Sequence, residues 1–433
     1  MELYHFIRGQ EEGEQLFTVH GPFEEYPYTL SLARFTGSHF DFLRQTLLKA
    51  YAPALEERRR LLYSLAAFKP STQCLHSICY LLGMPISWVR ESIEQGKKIA
   101  LAIASHASLD SSKKVAISIS PNDPREIFYF VAHCLLAGTP TVIKLSSREP
   151  MLGAEVARYL HQQKLPPGLL NMIYADSSNR EESMYVQSLM EWVDIPIVMG
   201  SARLSSKQIS FCAEHSRGLV LNAEQALPHL KASITSPLSC LAERNYIVVG
   251  EHNYAQVLQE LVHLYSSLKP GNLLDPQTTM GVIQQEALEE ATTILKLGEM
   301  VDTIKIIHPS SVPINSTMIA QGLIVEHYSE DHVTGSNPLL VSSLPLYITG
   351  IRMVATVQEA LRDLEMARHH IEQSYNIPKS MALSIYGSEP SLYKVEEYLR
   401  LHNLAFDVHH NKSPVQVDGF VHQGIKLNEV LTT

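Results

Sequence analysis

The sequence predicts an α/β protein of two doubly wound units, with a mainly helical segment ahead of the first. Three observations support that class. The chain has 433 residues, about three times a common single-domain length, and is 45% hydrophobic and 18% charged, enough for more than one core. From Val115 onward, short continuous apolar runs alternate with longer amphipathic segments, as expected of parallel strands covered on both faces by helices. No repeat of about 20–50 residues and no low-complexity tract interrupts the alternation, which removes solenoids and propellers.

After an irregular stretch over residues 1–40, Phe40–Ala52 and Leu55–Phe68 carry apolar residues three and four apart with charges between them. Pro85–Ala104 continues that pattern, and all three segments read as helices. Val115–Ile119, Thr141–Leu145, Leu170–Tyr174 and Ile195–Met199 read as strands, with Ile127–Leu136, Met151–Gln163 and Ser183–Glu191 as the helices between them. Gly218–Leu221 and Tyr246–Val249 open a second run of strands, followed by a helix over Tyr254–Ser267. The alternation continues through Gln284–Gly298, Asp302–His308, Leu323–His327, Tyr347–Val354, Val357–His370 and Met381–Tyr386. The boundary between the units falls near residues 205–215.

Thirty-five basic against forty-five acidic residues give a net charge of -10, which offers no general attraction for phosphate backbones or anionic membranes. Nucleic acid is thereby set aside as a main partner. No apolar run approaches the roughly 20 residues needed to span a bilayer, and MELYHFIRGQ carries no signal-peptide pattern. The five cysteines (Cys74, Cys79, Cys134, Cys212 and Cys240) are too sparse for a disulfide framework and fit a reducing compartment. The expectation is a cytoplasmic protein without a membrane segment.

Ligands of open α/β sheets collect beyond the carboxyl ends of the strands. Val115–Ile119 runs into Ser120-Pro121-Asn122-Asp123-Pro124. Thr141–Leu145 carries Lys144 and runs into Ser146-Ser147, and Ile195–Met199 runs into Gly200-Ser201. Each is also ordinary strand-to-helix punctuation, but their recurrence on successive turns points to a shared crevice. No G-x-G-x-x-G follows a strand, and G-x-x-x-x-G-K-[ST], G-x-S-x-G and H-E-x-x-H are absent. Cys74, His76 and Cys79 lack the second ligand pair of a zinc site and read as part of a buried helix, so no metal is expected. Cys240 sits in a small-residue segment, Thr235-Ser236-Pro237-Leu238-Ser239-Cys240, and is read either as an inert core thiol or as an accessible nucleophile.

These segments, in order and spacing, resemble the aldehyde dehydrogenase superfamily from about residue 40 to the C-terminus. Ser120-Pro121-Asn122-Asp123-Pro124 resembles S-P-W-N-F-P, one residue shorter, and Val142-Ile143-Lys144-Leu145-Ser146-Ser147 resembles V-L-K-P-S-E. Leu165-Pro166-Pro167-Gly168-Leu169-Leu170-Asn171 is similar to L-P-P-G-V-V-N, and Leu274-Asp275-Pro276-Gln277-Thr278 to L-D-P-x-T. Met199-Gly200-Ser201 resembles the T-G-S before the cofactor helix, and Gly424-Ile425-Lys426-Leu427 resembles the closing G-V-K-L.

The resemblance implies two Rossmann-like units, a catalytic Cys240, and an oxyanion hole built with Asn122. It also implies a nicotinamide cofactor held by Lys144, Ser146, Ser147, Gly200 and Ser201. The implied organisation is an irregular extension over 1–40, a dinucleotide-binding domain over 41–210, and a catalytic cysteine domain over 211–405. Residues 406–433 would then pack back on the body or mediate a homo-oligomer.

Two departures direct the functional expectation. The family's general-base Glu is matched by Phe211 or Cys212, with Glu214 brought into place only by a gap, and Ser342-Ser343-Leu344-Pro345 stands where E-I-F-G-P grips the nicotinamide ribose. A thioacyl enzyme that is reduced rather than hydrolysed needs no activated water. The pattern therefore resembles the acyl-CoA reductase branch, similar to the fatty acid reductase of luminous bacteria, with acyl-CoA or an acyl-carrier protein as partner. Ser147 stands in place of a Glu that favours a free adenosine 2′-hydroxyl, which implies NADPH, with NADH as the alternative. The rival expectations are an acyl-phosphate reductase of the glutamyl phosphate kind, with Arg244 as its nearest phosphate-binding candidate, an ordinary NAD-dependent aldehyde dehydrogenase, and a non-catalytic binding subunit.

Overall fold

The computed structural model describes residues 2–22, 27–106, 110–119, 123–199, 204–211, 217–235, 243, 245–282, 304–307, 323–327, 348–375, 382–402, 404, 407–412, 421–422 and 425–432. The chain forms two compact units. One comprises Met1–Phe211, Asn272–Thr278 and Val417–Thr433; the other comprises Cys212–Gly271 and Thr279–Gln416.

In the first unit, seven strands run in the order Ile209–Phe211, Ile195–Met199, Val115–Ser118, Thr141–Lys144, Leu170–Ile173, His5–Ile7 and Gln10–Glu12. The first five are parallel; His5–Ile7 pairs antiparallel with Leu170–Ile173, and Gln10–Glu12 antiparallel with His5–Ile7. The parallel strands read as continuous apolar runs because both faces are covered. On one face Leu43 and Leu47 of the helix Gly37–Lys49, and Val186, Leu189 and Met190 of the helix Arg180–Trp192, pack with Ala116, Val142 and Ile173 in one cluster. The helix Arg125–Ala137 is buried at every position, and apart from Arg125, Glu126 and His133 its residues are apolar or aromatic.

Helix ends follow local chemistry. Asn179 Oδ1 accepts from the Glu181 and Glu182 amides at 3.0 and 3.2 Å, Ser71 Oγ accepts from the Cys74 amide at 3.0 Å, and Gly138 (φ 68°) closes Arg125–Ala137 in the left-handed conformation.

The irregular extension expected over 1–40 needs correction. Leu16–His20 pairs antiparallel and Glu2–Leu3 parallel with Thr29–Ala33 in a three-stranded sheet, and His5–Ile7 extends the main sheet. Strands of two to five residues are too short to show a period. The hairpin turn is Arg8-Gly9, both at positive φ (55° and 83°), a geometry more often announced by Asn-Gly or Asp-Gly. Pairing with Leu170–Ile173, through Phe6 opposite Met172, is a long-range contact that a local pattern does not reveal.

The second unit's sheet runs Ile304–Ile307, Leu323–His327, Ile348–Val354, Asn245–Val249, Arg217–Val220, Ala382–Tyr386 and Asp407–His410, all parallel except the first. Leu219, Ile247, Leu383 and Ile385 pack with Ala360 and Leu364 of the helix Val357–Tyr375 and with Leu392, Val395 and Leu399 of the helix Glu389–Leu401. The second of these helices and Ala223–Thr235 were not foreseen. Pro228 inside the latter reads as a breaker, whereas Ser388 followed by Pro390 is a helix start that the sequence does display. The helix expected over Gln284–Gly298 lies outside the described residues. Among the described residues, no helix is long and apolar enough to cross a membrane.

Candidate active site

The first sheet reverses its winding direction at Val115–Ser118. The chain steps from there to Thr141–Lys144 and Leu170–Ile173 on one side, and Ile195–Met199 then pairs on the other. The crevice beyond the carboxyl ends at such a reversal is where open α/β sheets bind ligands. The strand ends there lead, within a few residues of chain, to Asn122 and to Gly200-Ser201. Those three residues, Ser120 and Cys240 lie outside the described residues.

Lys144 ends the neighbouring strand, opposite Ser118 and Ile173. It is half-buried, burial pulls its ammonium below the usual lysine range, and it makes no ion pair with a described residue. Ser146 and Ser147 follow it, both half-buried; Ser146 Oγ accepts from the Arg148 amide at 3.1 Å, which shapes the turn. Glu149, two residues beyond Ser147, is buried. Its Oε1 accepts from the Leu152 amide at 3.1 Å at the start of the helix Met151–Gln162, and burial pushes its carboxyl up to about 7. Lys144, Ser146 and Ser147 thus share one strand-to-helix connection.

Asp123, the residue after Asn122, is held by an arrangement the sequence reading missed. Its Oδ1 accepts from Ser92 Oγ at 2.8 Å and from the Arg125 amide at 2.9 Å, and the Arg125 guanidinium grips both oxygens. Arg125 Nη1 in turn donates to Gln95 Oε1 at 2.9 Å. Burial alone would raise the Asp123 carboxyl. The Arg125 charge and these hydrogen bonds outweigh it and hold the carboxyl below its usual range. The connection that begins at Asn122 is therefore tied to the helix Ile86–Ala104 at its very next residue. An Asp two residues before an Arg at a strand-to-helix turn was a visible signal for this clamp.

The two most specific motif matches turn out to be structural. In Leu165–Asn171, Gly168 takes φ 84°, where a Cβ would lie 2.9 Å from Thr46 Cγ2. The buried Asn171 Nδ2 donates to the Gly168 and Thr141 carbonyls at 2.9 and 3.0 Å, while its Oδ1 accepts from the Arg8 amide at 3.0 Å. The motif thereby joins three strands. In Leu274–Thr278, Thr278 Oγ1 donates to the Asn272 carbonyl at 2.7 Å and Asp275 Oδ1 accepts from the Gln277 amide at 2.9 Å. This folded turn docks on the helix Ile86–Ala104 through Ile86 N to Leu273 O at 2.8 Å and Ser87 Oγ to Thr278 O at 3.2 Å.

Cys74, Cys79 and Cys134 are buried, and burial raises all three thiols, Cys79 and Cys134 to about 12 and Cys74 well above its usual value. None of these three is poised as a thiolate. Among the described residues, no cluster of His, Cys, Asp and Glu could hold a metal ion.

Two wound sheets, a reversal point flanked by Lys144, and this order of turns define the aldehyde dehydrogenase fold, and the chain has it. The NAD+ complex of aldehyde dehydrogenase from Bacillus cereus matches with a TM-score of 0.76 at 15% identity, over 95% of this chain and 89% of that one. Aldehyde dehydrogenase 21 from Physcomitrella patens, in complex with succinate, matches at 0.75 and 14% identity over 95% and 90%. PnpE from Pseudomonas sp. WBC-3 matches at 0.74 and 17% identity, also over 95% and 90%. Among curated proteins, the N-succinylglutamate 5-semialdehyde dehydrogenases of Escherichia coli and Shigella flexneri are 25% identical over 213 residues, 45% of this chain. The matched stretch spans only 42% of the length of those relatives. No family model matches the chain.

Proposed function

We propose that the protein is a nicotinamide-dependent oxidoreductase of the aldehyde dehydrogenase type, and that it reduces an acyl thioester to an aldehyde with NADPH. The observation that carries the reading is the reversal point of the first sheet, with the half-buried Lys144 at the end of a strand next to it and Asn122 and Gly200-Ser201 following the adjoining strands in sequence.

In this reading the Cys240 thiolate attacks the acyl carbonyl of an acyl-CoA or acyl-carrier protein, forming the thioacyl bond and expelling the carrier thiolate. Asn122 donates to the oxyanion of that step. A bound nicotinamide supplies the hydride. The thiohemiacetal on Cys240 then loses its hydroxyl proton, the C–S bond breaks, the aldehyde leaves and the thiolate is regenerated. Lys144 and Ser147 hold the adenosine end, and Ser147 in place of an acidic residue leaves room for a 2′-phosphate. With Phe211 or Cys212 at the general-base position, no carboxylate of the motif activates water, so the thioacyl enzyme survives to be reduced. The N-succinylglutamate 5-semialdehyde dehydrogenases favour a second reading, oxidation of a semialdehyde through the same Cys240.

The test is NADPH oxidation with a panel of acyl-CoA thioesters, wild type beside Cys240→Ala. Aldehyde formed by the wild type and lost in the variant supports reduction. NAD+-dependent oxidation of a semialdehyde, with no turnover of thioesters, gives the second reading its place. Binding of neither nucleotide would remove both.

A further inference from the structure

A cavity of about 210 Å³ opens in the first unit where three pieces of chain meet. Arg8 of the hairpin turn forms one side. Phe42, Thr46 and Lys49 of the helix Gly37–Lys49, with Tyr51 just beyond it, form the second. Pro167, in the turn that enters the strand Leu170–Ile173, forms the third. The Arg8 and Lys49 side chains are exposed, and neither makes an ion pair with a described residue. Among the described residues, no acidic side chain lines the cavity.

The walls are held in place from behind. The Arg8 amide donates to Asn171 Oδ1 at 3.0 Å, and Asn171 Nδ2 donates to the Gly168 carbonyl at 2.9 Å, so one buried side chain joins the hairpin turn to the turn carrying Pro167. Gly168 (φ 84°) lets the latter turn lie against the helix, since a Cβ there would be 2.9 Å from Thr46 Cγ2 and 3.3 Å from Ala50 Cβ. Hairpin geometry alone asks for Asn, Asp or Gly at the first turn position. Arg8 occupies it instead at φ 55°, a conformation that disfavours residues with a Cβ, and brings a cation to the cavity. Asn171 Nδ2 also donates to the Thr141 carbonyl at 3.0 Å. Thr141 begins the strand that Lys144 ends, so this cavity and the crevice beside Lys144 belong to opposite ends of the sheet, separated by about 10 Å of strand.

We propose that this cavity is a second ligand site, which takes a compact aromatic phosphate monoester and is separate from the dinucleotide crevice. Two cations at one cavity match the charge of about -2 that a phosphate monoester carries at neutral pH, twice that of a carboxylate. Phe42 and Tyr51 supply apolar faces on which a ring packs. The volume is below the range of about 300–1,000 Å³ that holds drug-sized ligands, which suits one ring and its phosphate rather than a dinucleotide. The chain as a whole carries a charge of -10, so attraction to this spot is local and is screened by salt.

The test is isothermal titration calorimetry of the intact protein at neutral pH, with phenyl phosphate, inorganic phosphate and phenol as probes. Phenyl phosphate should bind at one site per chain, more tightly than inorganic phosphate, and phenol should give no saturable heat. Arg8→Ala, which keeps the backbone donor to Asn171, and Lys49→Ala should each weaken phenyl phosphate about 10-fold or more, the loss of one charge-assisted contact. Lys49 also complements the carboxyl end of its helix, so the thermal midpoint of each variant is read beside its affinity. Tyr51→Ala should narrow the preference for phenyl phosphate over inorganic phosphate. Saturating NADPH and Lys144→Ala should both leave phenyl phosphate binding unchanged. An absence of binding by the wild type, or undiminished binding by folded Arg8→Ala and Lys49→Ala, overturns the proposal. Displacement by NADPH, or loss of binding in Lys144→Ala, also overturns it and assigns the anion to the dinucleotide crevice.

Discussion

Arg125 Nε lies 3.0 Å from one oxygen of Asp123 and 2.9 Å from the other, and both side chains are buried, 7% and 8% exposed. The pair is tied to the helix Ile86–Ala104 through Ser92 and Gln95, one residue along the chain from the proposed oxyanion donor Asn122. Removing one partner of a buried pair leaves the other uncompensated, at a cost of about 3–5 kcal/mol.

Asp123→Asn should therefore lower the thermal midpoint markedly and depress kcat more than the KM for thioester. Asp123 is held below its ordinary 3.8, so its contribution to stability is present above about that pH and is lost as pH falls through the folded value. Acid titration followed by circular dichroism should show a shallower loss of stability below pH 3.8 in Asp123→Asn than in the wild type.

Glu149 carries the opposite sign. Its folded carboxyl is raised from 4.5 to about 7, so between those values the folded state holds a proton that the unfolded state has released. Stability from this group falls as pH rises through that window and is flat above it. Glu149→Gln should remove that part of the slope, seen as a thermal midpoint that declines less between pH 4.5 and 7.

A cavity-free contact between two helices gives a third expectation. A Cβ at Gly96 would lie 2.6 Å from Phe128 Cδ2 and 2.9 Å from Cγ, with Phe128 itself fully buried. Overpacking at such a contact costs about 1–3 kcal/mol. Gly96→Ala should shift the urea midpoint to lower concentration with an unchanged slope. An unshifted midpoint would mean that Phe128 finds another rotamer.

Cofactor choice is tested at Ser147. Ser147→Glu places a carboxylate where the proposed 2′-phosphate lies, and the ratio of kcat/KM for NADPH over NADH should fall by about 10-fold or more, ~1.4 kcal/mol. Lys144→Ala should raise the KM for both nucleotides and leave the ratio nearly unchanged. A ratio unmoved by Ser147→Glu would take Ser147 out of the adenosine site.

Much of the architecture was legible from local pattern. Val115–Ser118, Thr141–Lys144, Leu170–Ile173 and Ile195–Met199 are runs of apolar residues because parallel strands bury both faces. The punctuation after them marked the turns at which Lys144, Ser146 and Ser147 stand. The N-terminal strands were not legible, since His5–Ile7 joins the main sheet through a partner more than 160 residues away and its local hairpin turns on Arg8-Gly9 rather than Asn-Gly or Asp-Gly.

What the sequence by itself determined is the series of strands and helices and the residue types at their ends, because both follow from the burial and backbone chemistry of neighbours in the chain. Tertiary structure decided which acids change character. Asp123 and Glu243 are both buried carboxyls close in sequence to a proposed catalytic residue, yet one is held ionised and the other titrates near 7. Asp123 meets a guanidinium, whereas Glu243 meets the hydroxyls of Ser233, Tyr246 and Tyr386, and a neutral donor offsets less of the cost of burying charge than an opposite charge does.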